Sequence, residues 1–235
     1  MLVTGIKSKP VYAPLRADAR GRYHLMLGLG SGEVALLRVL QEMQDAAAEG
    51  LARTRVLLIP GGAAPDAPAA TDAPDATDAA AAATDAGAAQ DEAWAAHQAR
   101  GEIERMPLLE VRSFPDVPSL LAEFRSVLAD SLMGTRLYVA GPESFIGLAM
   151  RIALEFNLNK DEIRAEQLGT LARRVYCIHC RTTAENVRTN IVRCPGCDRW
   201  LLVRDHYSRR LAAYMGVMVD AEAPGELPPV REVFV

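Results

Sequence analysis

Four cysteines, the only ones in 235 residues, stand in two short pairs toward the C-terminus: Cys177–Cys180 and Cys194–Cys197. Two residues between thiols let both sulfurs of a tight knuckle point at one ion, and two such knuckles make a closed tetrahedral four-sulfur site. A segment carrying this pattern folds as two loops held to one centre. The competing reading of an even cysteine count is a pair of disulfides, which suits a secreted scaffold. Met1–Pro10 lacks the apolar stretch of a secretory signal, and no apolar run reaches membrane-spanning length. The expectation is a cytoplasmic chain with reduced thiols and one bound metal. The ligand set fits zinc and a single iron equally. Rubredoxin knuckles usually carry glycine after the second cysteine of each pair, where this chain has Arg181 and Asp198. His179, inside the first knuckle, is expected at the surface because four thiolates already complete the shell.

Charge is distributed unevenly. The whole chain carries only −4, which argues against a general nucleic-acid footprint. Residues 61–96 hold seven acidic side chains and no Lys or Arg, in a background of Ala, Pro and Thr. Such a stretch buries too little apolar surface to offset its ordering entropy, so 61–98 is expected to be a disordered insertion. Residues 171–210 hold nine arginines against three acidic residues. A four-thiolate site with a divalent ion is formally about −2, which offsets part of that excess.

The rest alternates short apolar runs with amphipathic ones. Leu25–Leu27, Arg55–Ile59, Leu108–Val111, Leu137–Ala140 and Ile163–Ala165 read as strands. Helices are expected on Leu36, Leu40 and Met43; on Leu120, Phe124 and Val127 or Leu128, capped by Asp116; and on Phe145, Leu148, Ile152 and Phe156. This predicts an α/β domain, a parallel sheet covered by helices on both faces, over 1–60 and 99–170. A small four-cysteine metal-binding module over 171–216, rubredoxin-like or zinc-ribbon in type, and a tail over 217–235 follow. Within that module, Trp200–Val203 reads as a strand leading into a short surface helix capped by Asp205. In parallel sheets, ligands bind beyond the carboxyl ends of the strands. Two turns lie there: Gly28, Gly30 and Gly32 in one, Gly141 and Pro142 in the other. The first could offer backbone N–H groups to a phosphate, although its spacing departs from G-x-G-x-x-G and Glu33 would repel an anion.

Residues 137–145, with Gly141-Pro142-Glu143, resemble the late strand-to-helix turn of ferredoxin-reductase nucleotide domains, and the Gly28–Gly32 loop sits where that family has its first glycine-rich turn. The flavin barrel expected upstream is missing and Ala140 replaces a frequent cysteine, so the resemblance implies a nucleotide domain without its flavin half, with NADPH or another nucleotide as its ligand. The segments Val175–Cys180, Cys194–Asp198 and Leu201–Arg210 resemble the small subunit of dimethylamine monooxygenase. That resemblance implies a partner in an NADPH-dependent haem monooxygenase that converts dimethylamine to methylamine and formaldehyde. It implies haem-containing and flavin/iron–sulfur reductase subunits as partners, and an accessory or electron-transfer role here. The alternative is a zinc-ribbon binding or scaffold module without redox chemistry.

Overall fold

The structure, a computed structural model, describes residues 8–46, 48–61 and 79–235. Contacts divide the chain into two compact units. One comprises Ala13–Gly141 and Phe156–Gly169; the other comprises Met1–Tyr12, Pro142–Glu155 and Thr170–Val235.

The first unit is built on β1 (Tyr23–Leu29), β2 (Thr54–Ile59), β3 (Glu110–Ser113), β4 (Thr135–Gly141) and β5 (Ile163–Gln167). These form one parallel sheet in the order β3-β2-β1-β4-β5. Met26 of β1 lies opposite Val56 of β2 and Tyr138 of β4. The three central strands are apolar without alternation because both faces are covered. Met26, Val56, Leu58, Tyr138 and Ala140 share a core with Leu36, Leu40 and Met43 of α1 (Gly32–Ala46). Leu25, Leu27, Leu57, Leu137 and Val139 are equally buried and, by the period of two, face the other way. Helix α3 (Val117–Ala129) buries Leu120, Phe124, Val127 and Leu128, and Asp116 caps it by accepting from the Ser119 N–H at 2.8 Å.

The carboxylate of Asp18 gathers Arg20, Arg136 and Arg164 at 3.0, 3.2 and 2.9 Å. The Arg20 guanidinium, donating to it, holds this carboxyl well below the usual range. The Asp18 N–H also donates to the buried Tyr138 hydroxyl at 3.0 Å.

The expectation of a disordered 61–98 needs correction. Residues 62–78 lie outside the described residues, but α2 spans Ala79–Ile103. Its C-terminal half is held in place by burying Ala96, Ala99 and Ile103. Those alanines recur at helical spacing, so small side chains make a packing seam there rather than a featureless run. Helix α4 (Glu143–Glu155), expected within the first domain, groups instead with the second unit.

That second unit carries another five-stranded sheet, in the order β7-β6-β10-β9-β8. Its strands are β6 (Arg173–Cys177), β7 (Thr183–Val187), β8 (Ile191–Arg193), β9 (Trp200–Ser208) and β10 (Ala213–Met218). β6 and β10 are parallel, and the other pairs are antiparallel. The surface helix expected after Val203 is absent: β9 continues to Ser208 and returns through a turn into β10. Leu201, Val203 and Tyr207 are buried on one face of this strand, with Asp205 exposed between them. Asp205 therefore caps nothing and pairs with Arg173 at 2.9 Å. The C-terminal residues are tied in as well, by a bridge between Thr189 and Glu232 and by Phe234 against the Val175–Tyr214 cluster. Among the described residues, no helix is long and apolar enough to cross a membrane.

Candidate metal centre

Each C-x2-C pair occupies the loop of a hairpin, the first between β6 and β7 and the second between β8 and β9. The two loops repeat one hydrogen-bond pattern. The Cys177 N–H donates to the Thr182 carbonyl and the Arg181 N–H to the Cys177 carbonyl, both at 2.9 Å. In the second loop the Cys194 N–H donates to the Arg199 carbonyl and the Asp198 N–H to the Cys194 carbonyl, again at 2.9 Å. This tight turn requires a left-handed residue after the second cysteine, and Arg181 and Asp198 adopt it with φ of 69° and 62°. The positions where glycine was missed are thus the two that bend the knuckles. Asp tolerates this conformation through its short polar side chain, whereas Arg carries a cost of about 1–2 kcal/mol.

All four sulfurs lie within 4.8 Å of one another. Cys177 and Cys197 are separated by 3.8 Å, and Cys180 and Cys194 by 3.5 Å. A tetrahedral ion with metal–sulfur bonds of about 2.3 Å needs sulfurs about 3.8 Å apart, so the cage fits one ion, and the thiols are free rather than disulfide-bonded. The first cysteine of each pair is buried against Leu201, and the second is half-buried. The loop residues Ile178, His179, Pro195 and Gly196 line the outer side of the cage, with Ile178 and His179 exposed. His179 sits at the surface as expected, its Nδ1 within 3.1 Å of Arg199.

Thr182 escapes a reading of the sequence. Its hydroxyl and its N–H donate to the Cys180 sulfur and hold that thiol down to about 6, while burial pushes the Cys194 thiol up to about 12. A Cβ on Gly196 would stand 2.1 Å from Thr182 Oγ1 and 3.1 Å from Cys180 Sγ. Glycine in the second knuckle is the space into which the first knuckle's threonine fits. Nothing local in the sequence pairs these two residues.

Several arginines of the basic stretch are used internally. Arg173 is buried between the rings of Tyr214 and Phe234, at 3.9 and 3.8 Å from their centroids. Arg174 pairs with Glu185 at 2.8 Å, and Arg193 with Asp198. Arg181, Arg209 and Arg210 are exposed. The same unit buries Glu143, whose Oε2 accepts from the Tyr214 hydroxyl at 2.6 Å. Burial raises the Glu143 carboxyl above its usual range and pushes the Tyr207 phenol up to about 12.

The other expected site residues lie at the carboxyl edge of the parallel sheet. Gly28 is in β1, Gly30 turns with φ of 56°, and Gly32 opens α1. Gly141 ends β4, and Pro142 is the residue before α4. Glu33 is fully buried at this turn and paired with Arg100 of α2. Burial raises its carboxyl, outweighing the hydrogen bonds from Arg100.

A five-stranded parallel α/β unit together with a hairpin-borne cage of four thiols defines a candidate metalloprotein. A model of the C-terminal domain of dimethylamine monooxygenase subunit DmmA-like proteins matches residues 174–217, and the N-terminal domain of the same family matches residues 87–163. The chain belongs to this DmmA-like family. A heme-dependent oxidative N-demethylase delta subunit from Ectopseudomonas mendocina (strain ymp) is 34% identical over 120 residues, covering 51% of this chain and 69% of that one. The N-terminal match begins inside α2, in the stretch whose composition suggests an insertion. Among solved structures, an intact type IV self-sufficient cytochrome P450 monooxygenase is similar at a TM-score of 0.37 and 16% identity, over 72% of this chain and 19% of that one. The C-terminal domain of a Pyrococcus furiosus hydrogenase is similar at 0.37 and 10%, over 68% and 99%. These likenesses are too distant to bear on function.

Proposed function

We propose that this chain is an accessory subunit of a cytoplasmic haem monooxygenase that oxidatively N-demethylates dimethylamine with NADPH, and that Cys177, Cys180, Cys194 and Cys197 hold one metal ion in it. Family membership and the delta-subunit relative support the assembly. The four-sulfur cage is the observation that carries the role within it. Haem-containing and flavin/iron–sulfur reductase subunits are the partners, and substrate choice lies with them. An iron held by the four thiolates would supply one-electron transfer, whereas zinc would supply none.

The electron-transfer role draws on exposure. The loop residues Ile178, His179, Pro195 and Gly196 are exposed, and Cys180 and Cys197 are half-buried, so a partner surface can meet the knuckles directly. The second reading is a structural zinc ribbon, favoured by Arg181 and Asp198 where rubredoxin knuckles usually have glycine.

Native pull-down of the tagged chain under anaerobic conditions, with haem and metal measured on the complex, tests both. The expected result is co-purification with a haem protein and one metal per chain. A colourless chain with one zinc ends the electron-transfer role, and a chain that recovers no haem protein from its native host ends the subunit reading.

A further inference from the structure

The glycine-rich turn at β1 is where a parallel sheet of this order should take a dinucleotide. Strand order reverses between β1 and β4, and the pyrophosphate would sit beyond them, against the first turn of α1. The start of α1, Glu33 and Arg100 meet at that place.

The end of α1 is pressed onto β4. A Cβ on Gly32 would stand 2.1 Å from the Ala140 carbonyl oxygen and 2.5 Å from its carbon. This contact is packing of α1 on the sheet, and it brings residue 33 to the mouth of the turn. Glu33 comes next, and its side chain folds back over β1: its Cγ lies 3.7 Å from where a Gly28 Cβ would be. The carboxylate has no exposure at all. Finally, Arg100 reaches in from α2. Its Nε donates to both Glu33 oxygens, at 3.1 and 3.2 Å, and its Nη2 to Oε2 at 3.1 Å. Ala96, one helical turn before Arg100, is buried where α2 meets the Gly61 turn at the end of β2.

We infer that the dinucleotide crevice of this unit is self-occupied: the Glu33 carboxylate takes the anion's place, Arg100 serves as its counter-ion, and the chain binds no nicotinamide dinucleotide. The residues present therefore do not fit the NADPH that the glycine-rich turns suggest. A phosphate entering here would meet a buried like charge, and the guanidinium it needs is already engaged through its fork. Any NADPH used by the assembly binds another polypeptide. This inference does not depend on which metal the cysteines hold.

The test titrates the full-length chain with NADPH and, separately, with inorganic pyrophosphate, following nicotinamide fluorescence and heat. The wild type is expected to show no saturable binding of either up to millimolar concentration. Glu33→Gln keeps the shape, removes the charge and frees Arg100, so it should bind pyrophosphate at least about tenfold more tightly than the wild type. The double variant E33Q/R100Q retains an uncharged hydrogen-bonded pair and should lose that gain. Circular dichroism checks that each variant folds. For any that does not, amide exchange of Glu33 and Val34 in the wild type is measured instead, and NADPH should leave it unchanged. Saturable one-to-one binding of NADPH by the wild type, NADPH protection of those amides, or a folded Glu33→Gln variant with no gain would each overturn the inference.

Discussion

The fit of Thr182 against Gly196 is the most exacting feature of the metal centre, and Gly196→Ala perturbs it directly. The added Cβ would start 2.1 Å from the Thr182 hydroxyl oxygen and 2.8 Å from its Cβ. Real contacts of this kind do not fall below 3.0 Å, so the hydroxyl must retreat by about an ångström. Overpacking of this size costs about 1–3 kcal/mol. The retreat also breaks the hydroxyl's hydrogen bond to Cys180, which acts in the same direction. A loss of about 1–3 kcal/mol corresponds to roughly 5- to 150-fold weaker metal affinity, because binding and ordering of the knuckles are coupled. Competition against a chromophoric chelator, with zinc or cobalt, reads the affinity. Thr182→Gly removes both clashing atoms, so in that background Gly196→Ala should cost at least about 1 kcal/mol less. Equal costs in the two backgrounds would refute the argument, since the clash could not then be with Thr182.

Arg100→Leu leaves the fully buried Glu33 without its cation and should destabilise the first unit by about 3–5 kcal/mol at neutral pH. The sign with pH follows from burial, which raises the Glu33 carboxyl above 4.5. A raised carboxyl contributes its full stability below the unfolded value and loses it as pH rises through the folded one. Denaturant midpoints for the variant should therefore fall more steeply than wild type as pH rises from about 5 to about 8, and a flat profile would contradict this. Arg181→Gly relaxes a left-handed arginine and should leave stability unchanged or raise it by up to about 1 kcal/mol, seen as a higher Tm with metal retained. Glu143→Gln keeps an acceptor for Tyr214 while removing a charge disfavoured by burial. It should be neutral or stabilising at mildly alkaline pH, whereas Glu143→Ala strands the Tyr214 hydroxyl and should cost about 1–3 kcal/mol by chemical denaturation.

What could be read in advance divides along the range of the interactions. The parallel sheet was legible because its strands are short apolar runs buried on both faces, and because Asp116 and Leu120 announce α3 within a few residues of each other. The cysteine quartet was legible because each knuckle is local and closes its own turn. The continuation of β9 to Ser208 was not. Asp205, His206, Ser208 and the arginines after them read as a polar cap and helix start, and only pairing with β10 makes them a strand. Helix α2 was hidden for a related reason. Alanine and aspartate give no hydrophobic period, and the seam of Ala96, Ala99 and Ile103 acquires meaning only once α1 and the sheet are there to receive it.

The glycine-rich turn shows how one local geometry can serve two chemistries. Glycine at position 32 is demanded by the approach of Ala140, whose carbonyl oxygen leaves no room for a Cβ. Gly28 is demanded by Leu36 and Leu58, whose methyls would lie 2.9 Å from a side chain there. Both constraints come from packing α1 onto a parallel sheet, and they persist whether or not a phosphate ever enters. A nucleotide-binding turn and a self-filled one therefore share their glycines. They differ in the next residue and in a cation 67 positions away. Beside the irregular glycine spacing, Glu33 was the sequence sign of the difference, since a buried carboxylate at a helix's first turn competes for the N–H groups and dipole that would otherwise attract an anion. Its partner Arg100 lies near the end of the Ala-rich helix, just past the stretch whose composition suggested disorder. On the inference that this turn is self-filled, the charge of its first-turn residue says more about a phosphate here than the spacing of its glycines does.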